Sequence, residues 1–181
     1  MRIKMPKIKN FSLYLNTKLA KICLNCIFIA CSLTGCYSFT GGSVPNHLKT
    51  IYISSITDNS GYGNPKYRDV LYLKLIEKFQ NDNTLQLVER NGDARLTVTI
   101  KSINEEIQTV SQNQLERERK IVVTCEVEYF DVIKKKIIWK KTFTNFEIYD
   151  VANAFVDKDR AINDALEQTS DDILLAVVSG W

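Results

Sequence analysis

The side chains suited to nucleophilic or metal chemistry are five cysteines and one histidine. Cys23 and Cys26 have the C-x-x-C spacing of redox and metal sites, but they lie in an apolar run without a βαβ context. His47 and Cys125 alone do not supply a zinc ligand set, and we interpret His47 as an ordinary surface-loop residue. Cys125 is the only cysteine of the chain body, so no disulfide framework is expected. We therefore predict no metal site and no cofactor.

Paired carboxylates offer a second possible chemistry, general acid–base catalysis. The pairs are Glu105–Glu106, Glu126–Glu128 and Asp171–Asp172. No nucleophile or base is positioned beside them, and we interpret all three pairs as solvated faces. The glycine-rich "TGGS" also lacks the Gly-Lys-Ser/Thr ending of a phosphate loop. The chain is predicted not to be an enzyme.

Cys36 is the cysteine for which the surrounding sequence predicts a definite modification. Residues 1–21 are basic, and the apolar run 22–35 spans about 20 Å as a helix, too short to cross a bilayer. A basic front followed by a short apolar segment and small residues is typical of a secretory signal peptide. Leu33-Thr34-Gly35-Cys36 resembles a bacterial lipobox, in which the signal is cut between Gly35 and Cys36 and the thiol receives a diacylglyceryl group.

This interpretation divides the chain into three parts. They are a lipoprotein signal peptide at 1–35, starting at Met1 or Met5, a lipidated N-terminal segment at 36–48, and one domain at 49–181. Acyl chains such as palmitate would hold the mature protein on a membrane. Tyr37 replaces the aspartate that commonly signals inner-membrane retention, which favours the outer membrane.

The positive charge of the whole chain belongs to its front. Residues 1–35 hold six cations and no acid, which leaves 18 basic and 21 acidic residues in the remainder. No nucleic-acid partner is predicted from such a balance.

Two clusters of basic residues stand out in the body. Lys134, Lys135 and Lys136 lie at a predicted hairpin tip, with Lys140 and Lys141 shortly after, and Arg117, Arg119 and Lys120 precede a long strand. The clusters could be solubility charges that guard a sheet edge. They could also attract an anionic partner, for which a phosphorylated lipid head group is the best candidate.

The elements that would position these residues follow from periodicity. Strands are predicted around 49–56, 85–89, 95–103, 119–132 and 137–149, and helices from Asn64-Pro65 and over about 159–178. Asn91-Gly92 is a strong hairpin signal, and 104–119 is ambiguous, consistent with strand ends around a loop. We predict an α+β two-layer sandwich, with two helices on one face of a mixed, mostly antiparallel sheet of about four strands.

Both ends of the mature chain resemble the LptE family, the lipopolysaccharide-assembly lipoproteins. The resemblance is carried by "GCYSFTGGSVPNHLKTIYI" at 35–53 and "ALEQTSDDILLAVVSGW" at 165–181, and is weaker over 75–100. It implies an α/β sandwich anchored in the outer membrane, which plugs and helps to assemble the LptD β-barrel and contacts lipopolysaccharide. It also implies roles for Cys36 as the lipid anchor and for the motif Tyr37-Ser38-Phe39.

Three functions remain open on the sequence. The first is a non-catalytic subunit of the lipopolysaccharide translocon, facing the periplasm and the barrel lumen, with Lys134, Lys135, Lys136, Lys140 and Lys141 as candidate lipopolysaccharide contacts. The second is a lipoprotein adaptor that activates a cell-wall synthase or forms part of a secretion pore, because "KTIYISSITDNSG" and the segments after it also resemble such adaptors. The third and least favoured is a lipid-anchored periplasmic enzyme.

Overall fold

The computed structural model describes residues 44–110 and 116–179. In chain order they form β1 (Thr50–Ile53), β2 (Thr57–Asp58), α1 (Lys66–Asp82), β3 (Gln86–Leu87), β4 (Ala94–Val110), β5 (Glu116–Asp131), β6 (Lys136–Asp150) and α2 (Ala154–Val178), with a 3₁₀ turn at Val151–Asn153. Gly35, Cys36 and the Tyr37-Ser38-Phe39 motif lie outside the described residues.

The strands form one sheet in the order β3-β1-β4-β5-β6, and β2 pairs with β4. β1 runs parallel to β3 and β4, whereas β4, β5 and β6 form an antiparallel meander. The predicted α+β class and the mixed, mostly antiparallel sheet are confirmed. The sheet has six strands rather than about four. β3 falls within the predicted strand 85–89, whereas β2 is only two residues long and too short for alternation to reveal it.

The hydrophobic core lies between the sheet and both helices. α1 contributes Leu71, Leu75 and Phe79, and α2 contributes an apolar stripe. The apolar stripe of α2 is buried, and it consists of Ile162, Ala165, Leu166, Ile173, Ala176 and Val177. The helix starts at Ala154, five residues earlier than predicted, and its added first turn exposes Phe155.

A β-bulge at Lys101 reverses the alternation of β4. Ile100 lies opposite Cys125, yet Ser102 lies opposite Thr124, so one residue of β4 is extra. Even-numbered residues face the core before the bulge and odd-numbered ones after it, as buried Ile103 shows. The ambiguous stretch 104–119 is largely the extension of β4 and β5, which the broken alternation conceals.

The bulge corrects our interpretation of Glu105 as a solvated residue. The carboxylate faces the helix side, where it accepts hydrogen bonds from the Tyr149 hydroxyl, from Arg119 Nη1 at 2.8 Å and from Lys158 Nζ. Burial raises the pKa of Glu105, but the three donors outweigh it and lower the pKa to about 2. Glu106, on the opposite face, is exposed and pairs with Lys120 at 3.1 Å.

The hairpin predicted from Asn91-Gly92 is also wrong. β3 and β4 both pair with β1, so the segment between them crosses β1 instead of reversing into a neighbouring strand. Asn91 has a left-handed φ of 54°, as a turn residue can. A Cβ on Gly92 would lie 2.7 Å from the Tyr52 nitrogen and 2.9 Å from the Ile51 carbonyl carbon. The glycine is therefore required by the close crossing of two backbones.

The Glu105 cluster predicts a pH-dependent contribution to stability. Replacing Glu105 by Gln should reduce the free energy of unfolding by about 1–3 kcal/mol at pH 7, because three donors lose a charged acceptor. Since its folded pKa lies below the unfolded value of 4.5, the wild-type advantage should be complete above pH 4.5 and disappear as pH falls to about 2. Urea denaturation at several pH values measures this difference.

Glu106→Gln is the matched control, because it removes an exposed ion pair on the other face of β4 and should change stability by about 0–1 kcal/mol. Equal losses in the two variants at pH 7 would contradict the role given to Glu105.

Candidate functional site

One end of the sheet gathers unpaired positive charge. Ala94, at the start of β4, pairs with both Ile51 of β1 and Asp131 of β5, so the turn after Asp131 lies beside the segments that lead into β1 and β4. Arg90 and Arg95 line a shallow pocket together with Val132 of that turn. We call this region the basic end; its cations are Lys49, Arg90, Arg95, Lys134, Lys135 and Lys136.

The β5–β6 turn of the basic end is organised by the carboxylate of Asp131. The residue is only 1% exposed, and its Oδ1 accepts a hydrogen bond from the Lys134 backbone N–H at 2.7 Å. Lys135 then adopts a left-handed φ of 53°, and Val132 N–H donates to the Asp93 carbonyl at 2.9 Å. These bonds hold the backbone of the turn, so its lysine side chains project outward.

His47 binds the other oxygen of the same carboxylate. Its Nε2 lies 2.7 Å from Asp131 Oδ2 and donates to it, which corrects our interpretation of His47 as an ordinary surface-loop residue. Burial raises the pKa of Asp131, but the Lys134 N–H and His47 outweigh it and keep the pKa below its usual value. No local signal links the two residues, which are 84 positions apart.

The segment before β1 is fixed by further bonds at the same place. Asp93 Oδ2 accepts the backbone N–H groups of Lys49 at 2.9 Å and Thr50 at 3.0 Å. The Lys49 bond is the main cause of the lowered pKa of Asp93. Leu48 is buried, and Val44 packs against the core. Residues 44–50 are therefore tied to the basic end.

Within the part of the chain that the structure describes, the cations of the basic end form no ion pair with an acid, unlike most other cations there. Lys134, Lys135 and Lys136 are exposed and, among residues 44–110 and 116–179, form no ion pair. Elsewhere, Lys74 and Lys78 on α1 both pair with Glu167 on α2. An unpaired, exposed ammonium group remains available to an external anion.

The other predicted lipopolysaccharide contacts are not brought into one cluster with the tip. Lys140 and Lys141 are successive strand residues and point to opposite faces of the sheet. Lys140 pairs with Glu126 at 3.1 Å, and Lys141 Nζ lies 5.3 Å from the centre of the Trp139 ring. In the second basic cluster, Arg119 and Lys120 are engaged by Glu105 and Glu106, while Arg117 is exposed.

Two structural features are absent from residues 44–110 and 116–179. No three His, Cys, Asp or Glu side chains within them come together so that they could hold a metal ion. Neither helix in that part of the chain is long and apolar enough to cross a membrane.

A family model described as lipopolysaccharide-assembly, LptE, matches residues 48–177. The chain belongs to the LptE family. The resemblance inferred from the two ends of the mature chain is therefore confirmed over most of its length. LptE membership supports an outer-membrane lipoprotein concerned with lipopolysaccharide assembly. No curated protein sequence matches the chain.

Solved structures support the fold of this LptE member. Protein XCC0632 of Xanthomonas campestris has a TM-score of 0.56 at 11% identity, over 77% of this chain and 89% of its own. A minor lipoprotein of Acinetobacter baumannii has a TM-score of 0.52 at 15% identity, and the match covers 74% of this chain and 94% of the lipoprotein. Lipoprotein B of Nitrosomonas europaea also has a TM-score of 0.52, at 13% identity, and the match covers 76% of this chain and 86% of lipoprotein B. At these identities the similarity shows a shared fold.

The bonds of Asp131 lead to a prediction about local order. In Asp131→Ala, the Lys134 amide and His47 lose their acceptor, so the turn and residues 47–50 should open more often. Hydrogen exchange followed by NMR should show faster exchange of the Lys134 amide and of the amides of Lys49 and Thr50.

Asp150→Ala is the control, because Asp150 also accepts a backbone amide, that of Ala152, but at the other end of the sheet. It should leave exchange at Lys134 unchanged. Unaltered exchange at Lys134 in Asp131→Ala would show that the carboxylate does not hold the turn.

Proposed function

We propose that this protein is a non-catalytic lipoprotein subunit of the outer-membrane lipopolysaccharide translocon. It plugs and helps to assemble an LptD-type β-barrel, and it contacts lipopolysaccharide as that lipid passes into the outer membrane. Acyl chains on Cys36 anchor it after cleavage behind Gly35, and the domain faces the periplasm and the barrel lumen. The observation that carries the proposal is the match of the lipopolysaccharide-assembly family model to residues 48–177.

The sheet face opposite the helices has the chemistry that a barrel lumen requires. Its central rows are polar on all three long strands, and Thr124 and Thr144 lie within 3.4 Å of each other across β5 and β6. Transmembrane barrels are polar inside, so a plug has to present such a surface. The rows are formed by Thr97, Thr99, Thr124, Glu126, Glu128, Lys140, Thr142 and Thr144.

Lipopolysaccharide offers phosphate groups to which exposed lysines are suited. Lys134, Lys135 and Lys136 are the strongest candidates, because they are exposed and none of them forms an ion pair with a described acid, although Lys134 is attracted by the nearby Asp131. Lys140 and Lys141 contribute less in this proposal, since Lys140 would have to leave Glu126 and Lys141 lies beside Trp139.

Co-purification tests the assignment. After mild detergent extraction of the native membrane, the protein should be recovered in a stoichiometric complex with a large outer-membrane β-barrel. Recovery with a peptidoglycan synthase, or as a homo-oligomeric ring, would overturn the proposal in favour of an adaptor or a secretion-pore subunit. Mass spectrometry of the same sample reads the amino terminus, which should be acylated Cys36.

The lysines of the tip give the second test. Changing Lys134, Lys135 and Lys136 together to Ser should weaken binding to lipopolysaccharide, most strongly at low salt, where charge attraction is least screened. Three Arg residues at the same positions should preserve binding. Purified lipopolysaccharide in a surface-binding assay measures the affinity.

The matched control changes Lys66, Lys101 and Arg160 to Ser, which removes the same charge from exposed sites away from the tip. Equal weakening in both triple variants would attribute the effect to net charge. Unchanged binding of the tip variant at low salt would eliminate the cluster as a lipopolysaccharide contact.

A further inference from the structure

We propose that the β5–β6 turn rests on the phospholipid surface of the bilayer that anchors the protein, with Val132 and Ile133 entering the head-group region. The contact is with anionic phospholipid head groups and is distinct from lipopolysaccharide binding. It rests on the proposed function in one respect, the acylation of Cys36.

The turn carries apolar side chains among its lysines. Ile133 is 54% exposed, Ile137 is 52% exposed and Val132 is 39% exposed. Single exposed aliphatic residues are common on soluble proteins, but three of them around one turn form a local patch. Aliphatic tips flanked by lysines are typical of segments that lie in the membrane interface, where the ammonium groups stay at the level of the phosphates.

The acidic groups of this end are turned inward. The carboxylates of Asp131 and Asp93 accept hydrogen bonds from His47 and from backbone N–H groups. Glu89 is the exposed acidic residue of the segment before β4, so one exposed negative charge there compares with the six positive charges of the basic end. The outward field is therefore positive, as required for attraction to an anionic leaflet.

The tether places this end near the bilayer. Val44 packs on the core three residues before His47, and seven residues lie between it and Cys36, so the eight Cα–Cα steps can span at most about 28 Å. The other end of β5, at Glu116, lies about 50 Å along the strand from Asp131. An anchor at Cys36 can thus bring the turn onto the membrane surface. When the strands are perpendicular to the membrane, the Glu116 end of β5 is too far from the anchor to touch the bilayer.

A fluorescent label at the turn tests the contact. Ile133→Cys would carry the label in the full lipoprotein, reconstituted into vesicles of phosphatidylethanolamine and phosphatidylglycerol without lipopolysaccharide. Burial raises the pKa of the Cys125 thiol to about 12, so it should not react at neutral pH. Nitroxide groups on the lipid head groups or upper chains then quench any label that lies in the interface.

Phe155→Cys is the matched control, because Phe155 is 98% exposed at the start of α2, beyond the far end of β6. We expect several-fold stronger quenching at position 133 than at 155. The difference should shrink when Lys134, Lys135 and Lys136 are changed to Ser, and also in vesicles of phosphatidylethanolamine alone.

The outcomes separate this inference from the proposed function. Equally weak quenching at positions 133 and 155, as for labels in water, would overturn the phospholipid contact and leave the barrel assignment untouched. Quenching at position 133 that appears only when lipopolysaccharide is added also overturns it, in favour of the turn as a lipopolysaccharide site. Quenching without lipopolysaccharide supports the contact whether or not a barrel co-purifies.

Discussion

The carboxylate of Asp131 lies almost out of contact with solvent at the end of β5, and each of its oxygens has a separate task. One accepts the Lys134 amide and shapes the turn, and the other accepts His47 and holds the segment before β1. A buried carboxylate without such donors would be costly, so turn and segment stabilise each other through it. The lysine tip and the N-terminal side of the domain therefore share one location, and the candidate functions of both depend on that coincidence.

The regular part of the fold could be predicted from the sequence because its signal is local. Alternation in β5 and the stripe of α2 follow from which face meets the core, and both agree with the structure. The extension of β4 could not be predicted in the same way. One extra residue at Lys101 moves Glu105 from the solvent face to the helix face, and a bulge of this kind has no signature in composition.

The features of the site that the sequence did not reveal are long-range. Asn91-Gly92 lies in the segment that connects β3 to β4, but the same dipeptide is compatible with a hairpin or with a backbone crossing, and the position of β1 decides between them. His47 looked unremarkable because its partner is 84 residues away. The lysines, by contrast, were visible in the sequence; what required the structure was which of them lack an acidic neighbour and which point to opposite faces.

The separation of His47 from Asp131 also has a consequence for the order of folding. β4, β5, β6 and α2 are joined by short connections, so their contacts close small loops, whereas the bond between His47 and Asp131 closes one of more than eighty residues. Closing a long loop costs more entropy and comes later than local pairing. We expect the meander and α2 to assemble first, and the N-terminal segment to dock last.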